Sequence, residues 1–299
     1  MMKRYLPVSQ AERLLLRNSF KSLISHLKSF IRYVFGRLIL LKTPYKIVLL
    51  ILFAVILFFI ALPLKSPLFE NVYSTVLTDN KGAVISAAVS DDGQWRFPQS
   101  KEIPQKLEKC IIVFEDKNFY YHLGVDPAAL FRSLFRNIKN RQVVSGGSTL
   151  TMQVVRLARK NKDRKITEKI IEMIYAVKLN FLYSKKDLLL LYITHAPYGG
   201  NIVGAETASW RYFNRDMKSL SWAEASLLAV LPNNPSMMYP GKNMDNLKFK
   251  RDWLLDKLYR KKIISKEDCE LAKYEELPDR FYSIPQLAPH LLTRAINEG

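Results

Sequence analysis

Residues 47–64, IVLLILFAVILFFIALPL, carry no charge at all, and few environments accept such a run. A bilayer span needs roughly 17–25 apolar residues, so the length suffices. A cleaved secretory signal is the competing reading. However, 46 residues precede the run, too many for a basic n-region, and no small-residue cleavage site of the A-x-A type follows it. We therefore expect an uncleaved, single-pass transmembrane helix over 47–64.

The flanks set its orientation. Lys3, Arg4, Arg13, Arg17, Lys21, Lys28, Arg32, Arg37, Lys42 and Lys46 precede the run against one acid, Glu12, so nearly half of the formal net charge of +19 lies there. Basic flanks stay cytoplasmic, which puts the N-terminus inside and residues 66–299 in the periplasm or cell exterior. From Ala11 to Leu41 the tail mixes Arg and Lys with Leu, Ile and Phe at helix-like spacing, as expected of a segment lying on the inner leaflet. This topology removes nucleic acid as a partner. An anionic membrane surface and an anionic substrate remain to account for the charge. Cys110 and Cys269 are the two cysteines; a disulfide is open to them, two isolated buried or half-buried thiols being the plainer reading.

Residues 72–97 read as extended, with β-prone runs broken at Asp79-Asn80-Lys81-Gly82 and Asp91-Asp92-Gly93. Beyond Pro98 the pattern is helical nearly to the end. Asp163 is placed to cap a helix whose Ile166, Ile170, Met173, Ile174, Val177 and Phe181 share a face. Ser184 with Asp187, Ser221 with Glu224, and Ser265 with Asp268 resemble capping boxes, and Pro197 and Pro232 mark helix ends. Four regions result: a basic cytoplasmic tail (1–46), the span (47–64), a short β-element and linker (65–98), and a mainly α domain (99–299).

Three stretches could carry chemistry. EDKNFYYHLG, residues 115–124, follows the apolar CIIVF, so a carboxylate there would be desolvated and its pKa raised toward a base's working range. Taken alone, the solvated end of a helix is the stronger reading of Glu115 and Asp116. SGGSTLTMQVVRLAR, residues 145–159, runs a Gly-Gly loop into a helix whose N–H groups suit a phosphate, with Arg156 and Arg159 adding charge. In DRKITEK, residues 163–169, Arg164 and Lys165 open a helix where cations are disfavoured unless an anion binds. An Arg164–Glu168 surface pair explains that stretch equally well. No nucleophile elbow, Walker loop or H-E-x-x-H is present.

In order, these stretches resemble glycosyltransferase family 51, the transglycosylase domain of class A penicillin-binding proteins. EDKNFYYHLG is similar to its motif E-D-x-x-F-x-x-H-x-G, GGSTLTMQ to G-G-S-T-[LI]-T-Q-Q, and RKITE to R-K-x-x-E. SKKDLLLLYITHAPYGGN and LSWAEASLLAVLPNNPSMMYP resemble the fourth and fifth. L-T-M-Q with A-P-Y-G-G-N resembles the 1C branch. Met152 stands where the pattern has Gln, and Leu190 and Thr194 where it has Glu and Asn. Members of this class continue into a transpeptidase domain, whereas this chain stops at Gly299; the S-x-x-K match at Ser25–Lys28 lies in the basic tail without a K-T-G partner.

The resemblance implies a mainly α, lysozyme-like bilobal glycosyltransferase domain with a small β-element. It would polymerise lipid II into β-1,4 glycan strands on the outer face of a bacterial inner membrane, releasing polyprenyl diphosphate. It implies Glu115 as general base, assisted by Glu168, and a substrate site of Asp116, Ser148, Thr149, Gln153, Arg156, Arg164 and Lys165. Glu168 would orient the cations or hold a divalent cation, Mg or Mn, against the diphosphate. No organic cofactor is expected. The partners would be lipid II, the growing strand, the membrane and other cell-wall synthesis proteins. A catalytically weak lipid II-binding scaffold is the alternative, and a glycan hydrolase a further one. Finally, Leu130, Leu134, Phe135 and Ile138 line one face of LFRSLFRNIKN, residues 130–140, flanked by Arg132, Arg136 and Lys139. We expect that helix half-sunk in the outer leaflet, against core packing as the plainer alternative.

Overall fold

The computed structural model describes residues 42–100, 102–142, 146–160 and 165–298. Most of the basic tail, with its Ser25–Lys28 match, the cap expected at Asp163 and the cation expected at Arg164 lie outside the described residues. The chain divides after Leu64 into two compact units, Met1–Leu64 and Lys65–Gly299.

In the first unit, helix α1 covers Thr43–Ala61. It starts earlier than the uncharged run because Pro44 suits a first helical turn. It stops earlier because Leu62 precedes Pro63, whose ring disfavours helical backbone at the residue before it. Apolar side chains such as Leu50, Ile51, Phe53 and Phe58 are exposed around its circumference. Among the described residues no helix is long and apolar enough to cross a membrane; the uncharged part of α1, Ile47–Ala61, is roughly 22 Å long at 1.5 Å per residue.

The second unit is mainly helical with two small sheets. β1 (Val76–Thr78) and β2 (Val84–Ala87) form an antiparallel hairpin, in register at Val76 and Ala87. Its turn is held by Asp79 Oδ1, which accepts from the N–H groups of Lys81 and Ala83, each at 2.8 Å. β3 (Trp95–Arg96) runs parallel to β5 (Ile202–Val203), which pairs antiparallel with β4 (Pro197–Gly199). Strands at 197–203 are absent from the sequence reading: two- and three-residue strands are too short to show an alternating pattern. Val84, Ala87, Phe97, Trp210 and Ile284 form a cluster beneath the sheets.

The helices fall into two packed groups. In one, α2 (Gln105–Glu115) lies against α8 (Trp222–Val230) and α9 (Met244–Arg260), with α10 (Lys266–Tyr274) on α9. Leu107, Ile111, Leu227, Leu228, Leu254 and Leu258 are its interior. In the other, α4 (Leu150–Ala158) packs on α5 (Ile166–Leu182) and α6 (Lys185–His195). α7 (Ala205–Phe213) touches α6 and α8 and links the groups. α3 (Pro127–Asn140) precedes α4, and α11 (Pro289–Glu298) closes the chain. All three capping boxes form, at Ser184, Ser221 and Ser265. Both cysteines are free and buried.

α5 departs from its expected face. Ile166, Ile170 and Phe181 are exposed, while Glu172, Ala176 and Leu179 are buried. The turn at Gly124, with φ +89°, presses against the Ala176 carbonyl so closely that an added Cβ would sit 2.3 Å from its oxygen. That contact and an ion pair at Glu172 turn the helix away from its apolar stripe. α3 likewise buries only Ser133 and exposes Phe131, Leu134, Phe135 and Ile138.

Candidate active site

Glu115 closes α2, where the chain leaves helical geometry at Asp116. The two neighbouring carboxylates face different surroundings. Asp116 is buried; its Oδ2 accepts from His122 Nε2 at 2.9 Å and from the Leu150 N–H at 3.0 Å. It therefore ties the loop after α2 to the first turn of α4, so the fold itself already uses the carboxylate expected to bind substrate.

The same contact bears on the phosphate expected at the N-terminus of α4, where two of the donors are already taken. Leu150 gives its N–H to Asp116, and Met152 gives its N–H to Thr149 Oγ1 at 3.2 Å. Thr149 is buried, caps the helix and donates its hydroxyl to the Gly124 carbonyl at 2.6 Å, so it is built into the fold. An internal carboxylate at a helix N-terminus occupies the place an anion would take. Ser148, beside it, is half-buried.

Glu115 is placed for chemistry. Gln153 Nε2, one turn into α4, donates to its Oε2 at 2.7 Å. Oε1 is shut away from solvent with no hydrogen-bond partner among the described residues. Burial raises the Glu115 pKa above the ordinary carboxylate value and the Asp116 charge adds to the rise, while the Gln153 hydrogen bond, Lys250 and Arg156 oppose it. The phenols of Tyr192 and Tyr198, buried and without partners among the described residues, also feel the Glu115 charge.

Cations surround this carboxylate on two sides. On α4, Arg156 makes a two-pronged contact with Glu172, Nε to Oε1 at 2.7 Å and Nη2 to Oε2 at 2.8 Å. Glu172 holds Arg156 more firmly protonated, and Glu115 acts in the same direction. One turn on, Arg159 Nη1 donates to Glu168 Oε2 at 2.8 Å. Two arginines three apart on α4 thus face two glutamates four apart on α5. Lys165 precedes α5 as its N-cap residue. On the other side, α9 brings Lys250 and Lys257 near enough for Glu115 to oppose the lowering of their pKa values by burial.

The structure thus joins Glu115, Gln153 and Arg156, and sets Glu168 and Lys165 at the far end of the Arg156–Arg159 ladder. Glu172, Lys250 and Lys257 were missing from the sequence reading. A glutamate inside the apolar run IIEMI was the one available signal for Glu172. Among the described residues no group of three His, Cys, Asp or Glu is placed to hold a metal ion. Glu168 offers one carboxylate, already engaged by Arg159, so these residues fit a cationic clamp rather than a protein-built metal cage.

Comparison with known proteins completes the description. Residues 81–259 match the family model described as Transglycosylase. Penicillin-binding protein 1C of Escherichia coli (strain K12) is 32% identical over 224 residues, 75% of this chain and 29% of that protein. Penicillin-binding protein 1F of Bacillus subtilis (strain 168) is 32% identical over 201 residues, 67% of this chain and 28% of that protein. The chain therefore spans under a third of the length of these curated relatives. A 2.6 Å crystal structure of penicillin-binding protein 1A from Haemophilus influenzae aligns with 77% of this chain and 24% of that one, at TM-score 0.38 and 16% identity, a likeness too weak to carry an argument.

Proposed function

This chain belongs to the transglycosylase family, and from that premise we propose that it is a peptidoglycan glycosyltransferase that polymerises lipid II into β-1,4 glycan strands. The observation that carries the reading is Glu115: a buried carboxylate with a raised pKa, held by Gln153 and set among Arg156, Lys250 and Lys257. A base works best with a pKa near the operating pH, and burial moves Glu115 in that direction.

The reaction follows from these groups. The acceptor's sugar 4-hydroxyl gives its proton to Glu115 as its oxygen bonds to the donor's anomeric carbon. The bond from that carbon to the diphosphate oxygen breaks with inversion, and its electron pair leaves on polyprenyl diphosphate. Fixed cations lower the cost of the negative charge gathering on the leaving group. Arg156 has that task, oriented by Glu172 through two hydrogen bonds. The family resemblance would add Arg164, Lys165 and Ser148 to the diphosphate site, and Glu168 holds Arg159 in line. A divalent cation, Mg or Mn, would find one protein carboxylate here, Glu168, and diphosphate oxygens for the rest; it would supply charge neutralisation, and no step is routed through it.

The division of helices into two packed groups with Glu115 between them supports a lysozyme-like, bilobal domain. We place it on the outer face of the inner membrane, anchored by residues 47–64 with the basic tail cytoplasmic, where it would meet lipid II, the growing strand and other cell-wall synthesis proteins. Incubation of the chain with labelled lipid II, resolved by gel electrophoresis, tests the proposal. Polymer with release of polyprenyl diphosphate is the expected result. Saturable binding of lipid II without polymer would replace it with the scaffold reading, and cleavage of pre-formed glycan with a hydrolase.

A further inference from the structure

Lys250, Trp253 and Lys257 lie three and four residues apart on α9 and so share a face. That face borders the end of α2. Lys257 Nζ donates to the Val113 carbonyl at 2.7 Å, and the Trp253 indole meets the Phe114 ring edge-on, 6.1 Å between centroids. Val113 and Phe114 immediately precede Glu115. Lys250 Nζ donates to Asn233 Oδ1 at 3.0 Å, which fixes the other end of the stripe. Lys257 Nζ stands 4.6 Å over the indole.

Packing on Phe114 and Lys257 accounts for only part of this arrangement. α9 buries Leu247, Arg251, Leu254, Leu255 and Leu258, whereas Trp253 remains 42% exposed. A ligand that covered the exposed part of the indole would recover hydration free energy. The indole's surroundings say what would. The ring has a negative face, which attracts polarised C–H groups as it attracts the Lys257 ammonium. Two lysines held beside it offer N–H donors to hydroxyl and acyl oxygens. A pyranose ring has both features, a flat face of C–H bonds and an equatorial rim of oxygens.

We propose that Trp253, flanked by Lys250 and Lys257, is a sugar-stacking subsite that holds one N-acetylhexosamine ring of the glycan strand beside Glu115. This rests on the reading of the chain as a glycan polymerase. The subsite positions the strand and takes no part in bond breaking. Trp253→Leu keeps apolar bulk but removes the stacking face, whereas Trp253→Phe keeps a face.

Two measurements on the full chain in detergent micelles test the assignment. The first is tryptophan fluorescence during titration with chitotetraose, a β-1,4 tetrasaccharide. The chain has four tryptophans, so a saturable change in the wild type that vanishes in Trp253→Phe, with Trp95, Trp210 and Trp222 still present, locates the sugar at Trp253. No change in the wild type, or an unchanged response in Trp253→Phe, overturns the proposal, as does a response to anionic phospholipid vesicles and none to the saccharide. The second is steady-state polymerisation of lipid II. In Trp253→Leu, KM should rise about three- to tenfold with kcat unchanged, and Trp253→Phe should stay near wild type. A Trp253→Leu variant that melts like wild type and keeps its KM, or loses kcat alone, contradicts the subsite. A wild type that responds to the saccharide yet makes no polymer would sink the polymerase reading and leave the binding result standing.

Discussion

The two oxygens of Glu115 have different tasks. Oε2 takes a hydrogen bond from Gln153, while Oε1 has no partner among the described residues. Because Gln153 donates to the carboxylate, it favours the charged form and lowers the pKa that burial raises. Gln153→Ala should therefore push that pKa higher still and shift the acidic limb of the kcat/KM–pH profile to higher pH; a limb that stays put or moves down would contradict the assignment. The raised pKa also has a stability consequence. In the unfolded chain the group titrates near 4.5, so its folded form holds the proton to higher pH. The stabilisation is complete below the unfolded value and is lost as pH rises through the folded one. Glu115→Gln should accordingly be more stable to unfolding than wild type at pH 8, by about 1 kcal/mol, with the difference closing toward pH 4. At this scale, the desolvation of Glu115 could be suspected from the apolar run that ends on it, while its role as base came from the ordered motifs alone. The contact of Asp116 with Leu150 was not legible because adjacency in sequence says nothing of it, and Lys250 and Lys257 were not found because α9 is brought to α2 only by the fold.

α3 and α5 are the elements that break the usual rule of apolar faces turned inward. α3 exposes Phe131, Leu134, Phe135 and Ile138 beside Arg132, Arg136 and Lys139, the pattern of a helix lying in a bilayer interface. In the compact unit Lys65–Gly299, Leu134→Asp with Phe135→Asp should reduce affinity for anionic liposomes in flotation assays; unchanged affinity would refute interfacial insertion. α5 is turned by its ion pairs. Removing Glu172 leaves the partly buried Arg156 without its main partner, so Glu172→Ala should cost about 2 kcal/mol in urea unfolding, less than for a fully buried pair because Arg156 is partly exposed. Helix starts were legible wherever a capping box was written in the sequence. The face α5 buries was not, since Gly124 and Arg156 set it from elsewhere in the chain.

At the scale of the whole molecule, the proposed function needs a membrane anchor, because its proposed substrate is lipid-linked. The uncharged part of α1 falls short of a hydrocarbon core about 30 Å thick, and we propose that it nonetheless anchors the chain, with the apolar Leu62, Pro63 and Leu64 following it. The chain should therefore remain in the membrane fraction after an alkaline carbonate wash, and its appearance in the supernatant would count against the anchor. The central claim is that Glu115 removes the acceptor's proton. Single-turnover polymerisation of lipid II by Glu115→Gln, with lipid II binding measured alongside, tests it most directly. The account predicts binding within error of wild type and a rate lower by about 10²–10⁴-fold, the contribution of a general base; a wild-type rate in that variant would contradict it.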